Sequence, residues 1–274
     1  MTSDPLRYTI ELAERVNCSE AWTVAESAGL LQCLKQLPYQ DLIQQDIRRP
    51  KYVSAFGPTI DRRSVLPSDV RSMMSKLSDS VFSSTAFLVA LSRREGVSFL
   101  TQRDLSHGVP TDRMRRMLRT YMQNVFDYHR QSILDILTHQ YSDWERPQRN
   151  DPASNLETLV DLLGDGQVIA PIVELAQYHA KHAPAATYFC IFNVSPRPDA
   201  YPRWATGAHG DDLPYVFGAP LVDGIQPFGE LYSRTDRAIA EAVLRYWTNF
   251  IKTGSVVDSS HLCQLINLGH FTGS

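Results

Sequence analysis

The sequence lacks the features that mark several classes of protein. No stretch approaches the roughly 18 consecutive apolar residues of a membrane span, and the first residues lack the basic-then-apolar order of a signal peptide. Neither sign of charge is in excess, because 27 Lys and Arg against 30 Asp and Glu give a net charge of -3. Without a basic surplus the chain has no general attraction for polyanions, so we expect no nucleic-acid partner.

Cysteine is scarce as well. The four cysteines, Cys18, Cys33, Cys190 and Cys263, show no CxxC spacing, which argues against zinc ribbons and thioredoxin-like redox motifs. Their number alone leaves the cellular compartment open. From the sequence we expect neither a metal nor a cofactor.

The pattern of apolar residues indicates an α/β protein. With 274 residues, of which 43% are hydrophobic, the chain is long enough for one large domain or part of one. Residues 84–91 and 186–194 are short continuous apolar runs, which are typical of strands buried on both faces of a parallel sheet. Strands alternating with long helices place the sequence in the α/β class.

Helical spacing predicts the other elements. Helices are expected from Pro5 to about Val16, at residues 23–34 and 39–47, once or twice within 111–140, at 156–163 and 168–181 with a break at residues 164–166, and at 234–252 behind a Ser233 or Thr235 cap. Loops are expected at residues 48–67, 104–110, 142–153 and 195–229. The last residues, 255–274, have little periodicity and are expected to be disordered.

Two candidate functional groups follow the two predicted strands. His209 precedes a glycine in a loop with Asp211 and Asp212, which suits acid–base work or cation binding, but equally an ordinary loop whose aspartates cap a short helix. Glu95 follows the first strand, where a solvated charged turn is the alternative. Their order along the chain matches the end of a Ser…Glu…His triad, yet the sequence has no GxSxG nucleophile motif, so we expect no catalysis by this chain.

Longer motifs give a resemblance to a known family. The run AHGDDLPYVFGAP at residues 208–220 and the run LRYWTNFIKTG at residues 244–254 resemble the carboxylesterase type B (cholinesterase-like) family, and within it most closely the neuroligins, with a leaning toward those of invertebrates. The likeness extends upstream through FGPTID at residues 56–61, SDWERP at residues 142–147 and VIAP at residues 168–171. It covers residues 5–254 without a break.

This resemblance implies a fold and several site residues. The fold would be the C-terminal portion of an α/β-hydrolase, an incomplete central sheet with flanking helices over residues 1–254, followed by a divergent tail at 255–274. Glu95 and His209 would occupy the triad acid and histidine positions, and Cys18 and Cys33 would form a disulfide. Asn17, in the sequon that it forms with Cys18 and Ser19, is a glycosylation candidate beside that bridge.

The resemblance also implies a partner and a location. Neuroligins are adhesion proteins without the serine nucleophile that bind neurexins, and the corresponding partner-binding candidates here are Arg93, Arg94, Glu95, Gly96 and Val97. Vertebrate relatives have Gln and Gly at the first two positions, so the basic pair is expected to weaken neurexin binding. A homodimer in the full-length protein and the extracellular face of the cell surface are further implications, while the sequence pattern leads us to expect neither a signal peptide nor a membrane anchor within this chain. The alternative is the C-terminal half of a carboxylesterase type B serine hydrolase that supplies the triad Glu and His.

Overall fold

A computed structural model describes most of the chain. The described residues are 5–19, 27–57, 60, 72–73, 81–142, 144, 151–195, 206–222, 227–228, 232–256 and 269–270. Parts of the predicted helix at 23–34, of the loops at 48–67, 142–153 and 195–229 and of the tail lie outside these residues. Two compact units make up the chain, one formed by Met1–Ser72 and Arg119–Gln131 and the other by Met73–Leu118 and Ser132–Ser274.

Three helices begin the described part of the first unit. They are α1 (Pro5–Arg15), α2 (Ser27–Gln36) and α3 (Tyr39–Ile43). A buried cluster of Ala13, Cys18 and Leu30 lies between α1 and α2, and Cys18 and Cys33 are joined by a disulfide with a Cα–Cα distance of 5.9 Å. Closing a loop of this size stabilises a fold by about 3 kcal/mol in the chain-entropy account.

Helix α3 ends earlier than the predicted 39–47. The side-chain amide of Gln45 donates to the carbonyl oxygen of Asp41 at 2.9 Å. In a continued helix this carbonyl would accept from the backbone N–H of Gln45, so the side chain takes the place of the helical bond. The backbone N–H of Gln45 bonds to Leu42 instead. The prediction was therefore wrong at this end of the helix.

A three-stranded sheet lies in the second unit. Strands β1 (Phe87–Ser92) and β2 (Thr187–Phe192) are parallel, with Phe87 opposite Thr187 and Ser92 opposite Phe192. The two-residue strand β3 (Gly269–His270) pairs antiparallel with β2. Both predicted apolar runs thus form parallel strands, which agrees with the α/β class.

The start of the first strand differs from the prediction of residue 84. A short helix, α4 (Val81–Ser84), occupies this position. The hydroxyls of Ser84 and Thr85 both donate to the carbonyl oxygen of Val81, at 3.0 and 2.7 Å, and so favour the helical turn over an extended chain. The strand begins at Phe87.

A helix replaces most of the loop predicted at residues 104–110. Helix α5 (Gln102–His107) begins with a capping box, in which the Thr101 hydroxyl accepts from the Asp104 N–H while the Asp104 carboxylate accepts from the Thr101 N–H. The Thr-x-x-Asp pattern at residues 101–104 does not mark a helix start by itself, because too few apolar residues follow it. Two further helices, α6 (Thr111–Val125) and α7 (Arg130–Gln140), are separated at His129, which has a φ of 46°.

The helix break predicted at residues 164–166 does not occur. Helix α8 (Pro152–Gly164), capped by the Asp151 carboxylate, continues through a π-helical turn (Asp165–Ile169) into helix α9 (Ala170–His182). Gly164 has helical angles, φ −63° and ψ −49°. A glycine within a helix can allow another backbone to approach closely instead of ending the helix. Gly164 does this for the backbone of Gly96.

The C-terminal elements follow the segment that contains His209. Helix α10 (Leu213–Val216) and a 3-10 turn (Ala219–Leu221) precede helix α11 (Arg234–Thr253), which is capped by Ser233 rather than Thr235. A buried cluster of Phe192, Tyr215, Ala240 and Val243 joins β2, α10 and α11. Of the predicted tail, residues 255, 256, 269 and 270 are described, and the last two form β3.

Candidate acid and histidine site

Glu95 lies at the carboxyl end of β1, where it begins a 3-10 turn (Glu95–Phe99) that we call the acid turn. Its side chain is 4% exposed. One carboxylate oxygen accepts from the backbone N–H of Ser92 at 2.6 Å, and the other is bonded to Nδ1 of His209 at 2.5 Å. The buried carboxylate is therefore held by one backbone donor and one imidazole.

Two glycines seat the acid turn on helix α8. A Cβ atom added to Gly96 would lie 1.9 Å from the carbonyl oxygen of Val160, and one added to Gly164 would lie 2.8 Å from the backbone nitrogen of Gly96. Real Cβ atoms do not approach other atoms so closely. The turn and the helix thus meet backbone to backbone, which only glycine permits.

Arg94 connects the acid turn to the same helix through its side chain. The guanidinium Nη1 forms an ion pair with the carboxylate of Asp161 on α8. The Arg94 side chain is only 16% exposed, whereas that of Asp161 is 46% exposed. Nε of Arg94 is buried and has no hydrogen-bond partner among the described residues.

Strand pairing continues past β1 and β2 and brings the histidine loop, residues 206–212, beside the acid turn. The N–H of Arg93 donates to the carbonyl oxygen of Phe192 at 3.0 Å, and that of Arg94 donates to Gly207 at 2.8 Å. Gly207 has a φ of 77° and lies against the backbone after β2. Because the ends of adjacent parallel strands meet at one sheet edge, residues over 100 positions apart become neighbours.

Polar bonds hold the histidine loop in place. The Asp211 carboxylate accepts from the N–H of Ala208 at 3.0 Å, which closes the turn around His209. Further along, the hydroxyl of Tyr215 donates to the Asp236 carboxylate at 2.6 Å. Asp236 also accepts from Ser233 in the capping box of α11, so the loop is connected to the start of that helix.

The protonation of His209 follows from its partner. Since a carboxylate only accepts, Nδ1 carries the proton and donates to Glu95, and the ring's Nε2 is left as an acceptor on a side chain that is 61% exposed. Burial raises the pKa of the neighbouring Asp212 carboxyl, and the negative charge of Glu95 adds to the rise. An imidazole oriented by a carboxylate, with its other nitrogen outward, can accept a proton from a hydroxyl brought to it.

The predicted partner-binding residues do not form one exposed surface. Arg93 is exposed, but Arg94 is mostly covered and Glu95, Gly96 and Val97 are buried. Asn17, the glycosylation candidate, is exposed in a left-handed turn with a φ of 57°. Sequence reasoning named Glu95 and His209 but missed Arg94–Asp161 and Tyr215–Asp236, whose partners lie too far apart in the chain to leave a local pattern.

The described residues form neither a metal site nor a membrane span. No group of three His, Cys, Asp or Glu side chains within them is placed to hold a metal ion. None of the described helices combines the length and the apolar composition that crossing a membrane requires.

An acid after one parallel strand, bonded to a histidine in the loop after the next, is the arrangement of an α/β-hydrolase triad. The sequence profile of the carboxylesterase family matches residues 1–263. The chain belongs to the carboxylesterase family, which implies an α/β-hydrolase fold of which the described α/β structure is a part.

Individual relatives include several neuroligins. Human neuroligin-2 and mouse neuroligin-3 are each 32% identical over 253 residues, 91% of this chain. Neuroligin-1 of Caenorhabditis elegans is 25% identical over 93% of the chain. The sequence identity to the nematode protein is lower than that to the mammalian ones. A closer likeness to invertebrate neuroligins therefore stays a prediction. The chain spans 29% of the length of the two mammalian relatives and 34% of the nematode one.

Proposed function

We propose that this chain is part of a non-catalytic, neuroligin-like cell-adhesion protein that binds a cell-surface partner such as neurexin. The observation that carries the proposal is the similarity to neuroligins over 91% of the chain. The absence of a GxSxG motif from the sequence agrees with it, because the Glu95–His209 pair has no nucleophile of that kind to activate.

Arg93 is the residue through which the acid turn would meet a partner. It is the only exposed member of the predicted set Arg93 to Val97, while the charge of Arg94 is paired with Asp161. Arg93 therefore presents one outward positive charge where vertebrate relatives have Gln. The sequence alone predicts two such charges, Arg93 and Arg94. We expect the charge of Arg93 to weaken binding to a neurexin ectodomain.

Binding of immobilised full chain to a soluble neurexin ectodomain tests this proposal. Arg93→Gln should raise the affinity about three- to tenfold, which corresponds to removing roughly 1 kcal/mol of repulsion. Arg103→Gln, which removes an equally exposed charge on α5, should leave the affinity within about twofold. Absence of binding by both the wild-type chain and Arg93→Gln would rule out neurexin as the partner.

An extracellular location is part of the same proposal. The Cys18–Cys33 disulfide is the kind of bond that persists in oxidising compartments, and Asn17 in the adjacent sequon is exposed. We expect a glycan on Asn17 when the protein passes through a secretory pathway. Enzymatic removal of N-glycans should then increase the mobility of the wild-type chain on a gel by more than that of Asn17→Gln or Ser19→Ala.

The sheet supports the view that these residues are the C-terminal part, 1–254, of a larger hydrolase-type domain. Among the described residues, β1 pairs with β2 on one edge only. Parallel strands as apolar as β1 are normally covered on both faces within sheets of four or more strands. We infer that further strands complete the sheet in the whole domain.

Helix α7 is the candidate for a homodimer contact in the full-length protein. It buries none of its residues, and Ile136 on it is 66% exposed. Ile136→Glu should shift the full-length protein toward monomer in sedimentation experiments. A mass unchanged from that of a wild-type dimer would exclude this helix face.

The alternative function is that of a serine hydrolase whose nucleophile lies outside this sequence. The specific observation in its favour is the bond between Glu95 and His209, with Nε2 of the imidazole facing outward. Ester hydrolysis that depends on His209 separates this alternative from the adhesion proposal.

A further inference from the structure

We infer that Arg94 and Asp161 act as a positioning clamp that sets the geometry of the Glu95–His209 pair. Arg94 is the residue immediately before Glu95, and it contacts three elements at once. Its backbone N–H bonds to Gly207 in the histidine loop, its peptide leads into the acid turn, and its guanidinium reaches Asp161 on α8. Both members of the pair therefore depend on where this one residue is held.

The ion pair joins the acid turn to α8 at a second point. Gly96 and Gly164 meet backbone to backbone, and Arg94 adds a side-chain contact with the same helix. The acid turn also starts without a side-chain cap. Asp161 lies three residues before Gly164, just under one turn of α8, so the Arg94–Asp161 bond fixes the position of the turn along the helix.

The burial of Arg94 indicates that the ion pair positions the acid turn more than it stabilises the fold. Covering a guanidinium costs free energy, and here Nε is buried without a hydrogen-bond partner among the described residues. Its one carboxylate partner is about half exposed, which weakens the pair further. The Arg94–Asp161 pair should therefore contribute little to the free energy of unfolding, but it can still favour one position of the acid turn on α8.

The test reads the imidazole of His209 directly. In the full chain labelled with nitrogen-15 histidine, the imidazole shifts of His209 report the fraction with the proton on Nδ1, which donates to Glu95. Arg94→Gln and Asp161→Asn should each reduce that fraction, because a displaced Glu95 no longer accepts from Nδ1.

The direction of the two changes distinguishes positioning from direct charge effects. Through charge alone, removing the cation Arg94 and removing the anion Asp161 act on the imidazole in opposite directions. Positioning predicts a lower fraction with the proton on Nδ1 in both variants. Changes of opposite direction, or an unchanged proton position in both variants, would overturn the inference.

Two further variants control the experiment. Asp161→Glu keeps the charge and should restore the wild-type imidazole shifts, whereas Arg103→Gln removes an exposed charge of α5 and should not move them. If Arg94→Gln fails to fold, Arg94→Lys takes its place, because it keeps the charge but loses the guanidinium that reaches Asp161. A lower fraction with the proton on Nδ1 in Arg94→Lys would still indicate positioning, and an unchanged fraction would overturn the inference. The outcome does not depend on whether the chain serves adhesion or hydrolysis.

Discussion

The acid turn and the histidine loop form one site but are held by different means. The acid turn presses its backbone against helix α8 at Gly96 and Gly164, with almost no exposed surface around Glu95. The histidine loop is held by the bond that the Asp211 carboxylate accepts from Ala208, and helix α10 next to it by the bond that Tyr215 donates to Asp236. His209 is left exposed.

This difference indicates how each half should respond to change. Backbone packing leaves no room for added atoms, so the acid turn should tolerate substitution badly. Hydrogen bonds each contribute about 1 kcal/mol, so the histidine loop should weaken in small steps. The carboxylate of Glu95 is buried, and the imidazole of His209 is exposed on a separately held loop. This arrangement fits a structural role of the Glu95–His209 pair as well as a catalytic one.

The largest effect is expected at Gly96. In Gly96→Ala the new methyl group collides with the backbone of Val160, so unfolding by urea should show a loss of about 3 kcal/mol or more. Gly210→Ala in the histidine loop is the matched control. There a methyl group has space, and only the left-handed φ of 87° costs about 1 kcal/mol. Equal losses in the two variants would contradict the comparison.

A smaller effect is expected at Asp104, which anchors the helix following the acid turn. The two bonds from Arg113 lower the pKa of the Asp104 carboxyl from 3.8 to about 2. Asp104→Asn should cost about 2 kcal/mol at pH 7. Because the folded-state pKa is depressed, the stabilisation is complete above about pH 4 and is lost as the pH falls through 2. Urea unfolding at pH 7 and pH 2.5 should therefore show the two proteins converging, and a constant difference would refute the role of the charge.

A loss of about 1 kcal/mol is expected for Tyr215→Phe in helix α10, which follows the histidine loop. The hydroxyl that it removes is buried, and its bond to Asp236 contributes, together with burial, to raising the pKa of Tyr215. Thermal unfolding measures the change against Tyr128→Phe, an exposed tyrosine expected to show almost none. A neutral Tyr215→Phe would mean that helix α10 is held by packing, like the acid turn.

The smallest effect is expected at Asp212. Because burial raises the pKa of its carboxyl, the folded state favours the protonated form and loses stability as the pH rises through that pKa. Asp212→Asn imitates the protonated form and should change stability at pH 7 by less than about 0.5 kcal/mol, or increase it slightly. Asp211→Ala, which removes the acceptor for Ala208, should cost about 1 kcal/mol in the same urea titration. A larger loss in Asp212→Asn than in Asp211→Ala would reverse this assignment.

Local patterns in the sequence predicted much of the fold and only part of the site. Apolar runs located β1 and β2, and helical spacing located α1 and α11, because burial leaves a regular period. The same reasoning placed a break at Gly164, since a glycine's helix-breaking tendency is visible in sequence while its contact with Gly96 is not. The Arg94–Asp161 bond spans 67 residues, and nothing near either residue marks it.

Hydrolysis of a short-chain nitrophenyl ester by the full chain tests the proposed non-catalytic role most directly. The wild-type chain and His209→Ala should show the same turnover, no different from buffer, because Nε2 of His209 has no nucleophile to activate. Turnover that is abolished both by a serine-directed reagent and by His209→Ala would contradict the adhesion proposal and establish the pair as catalytic.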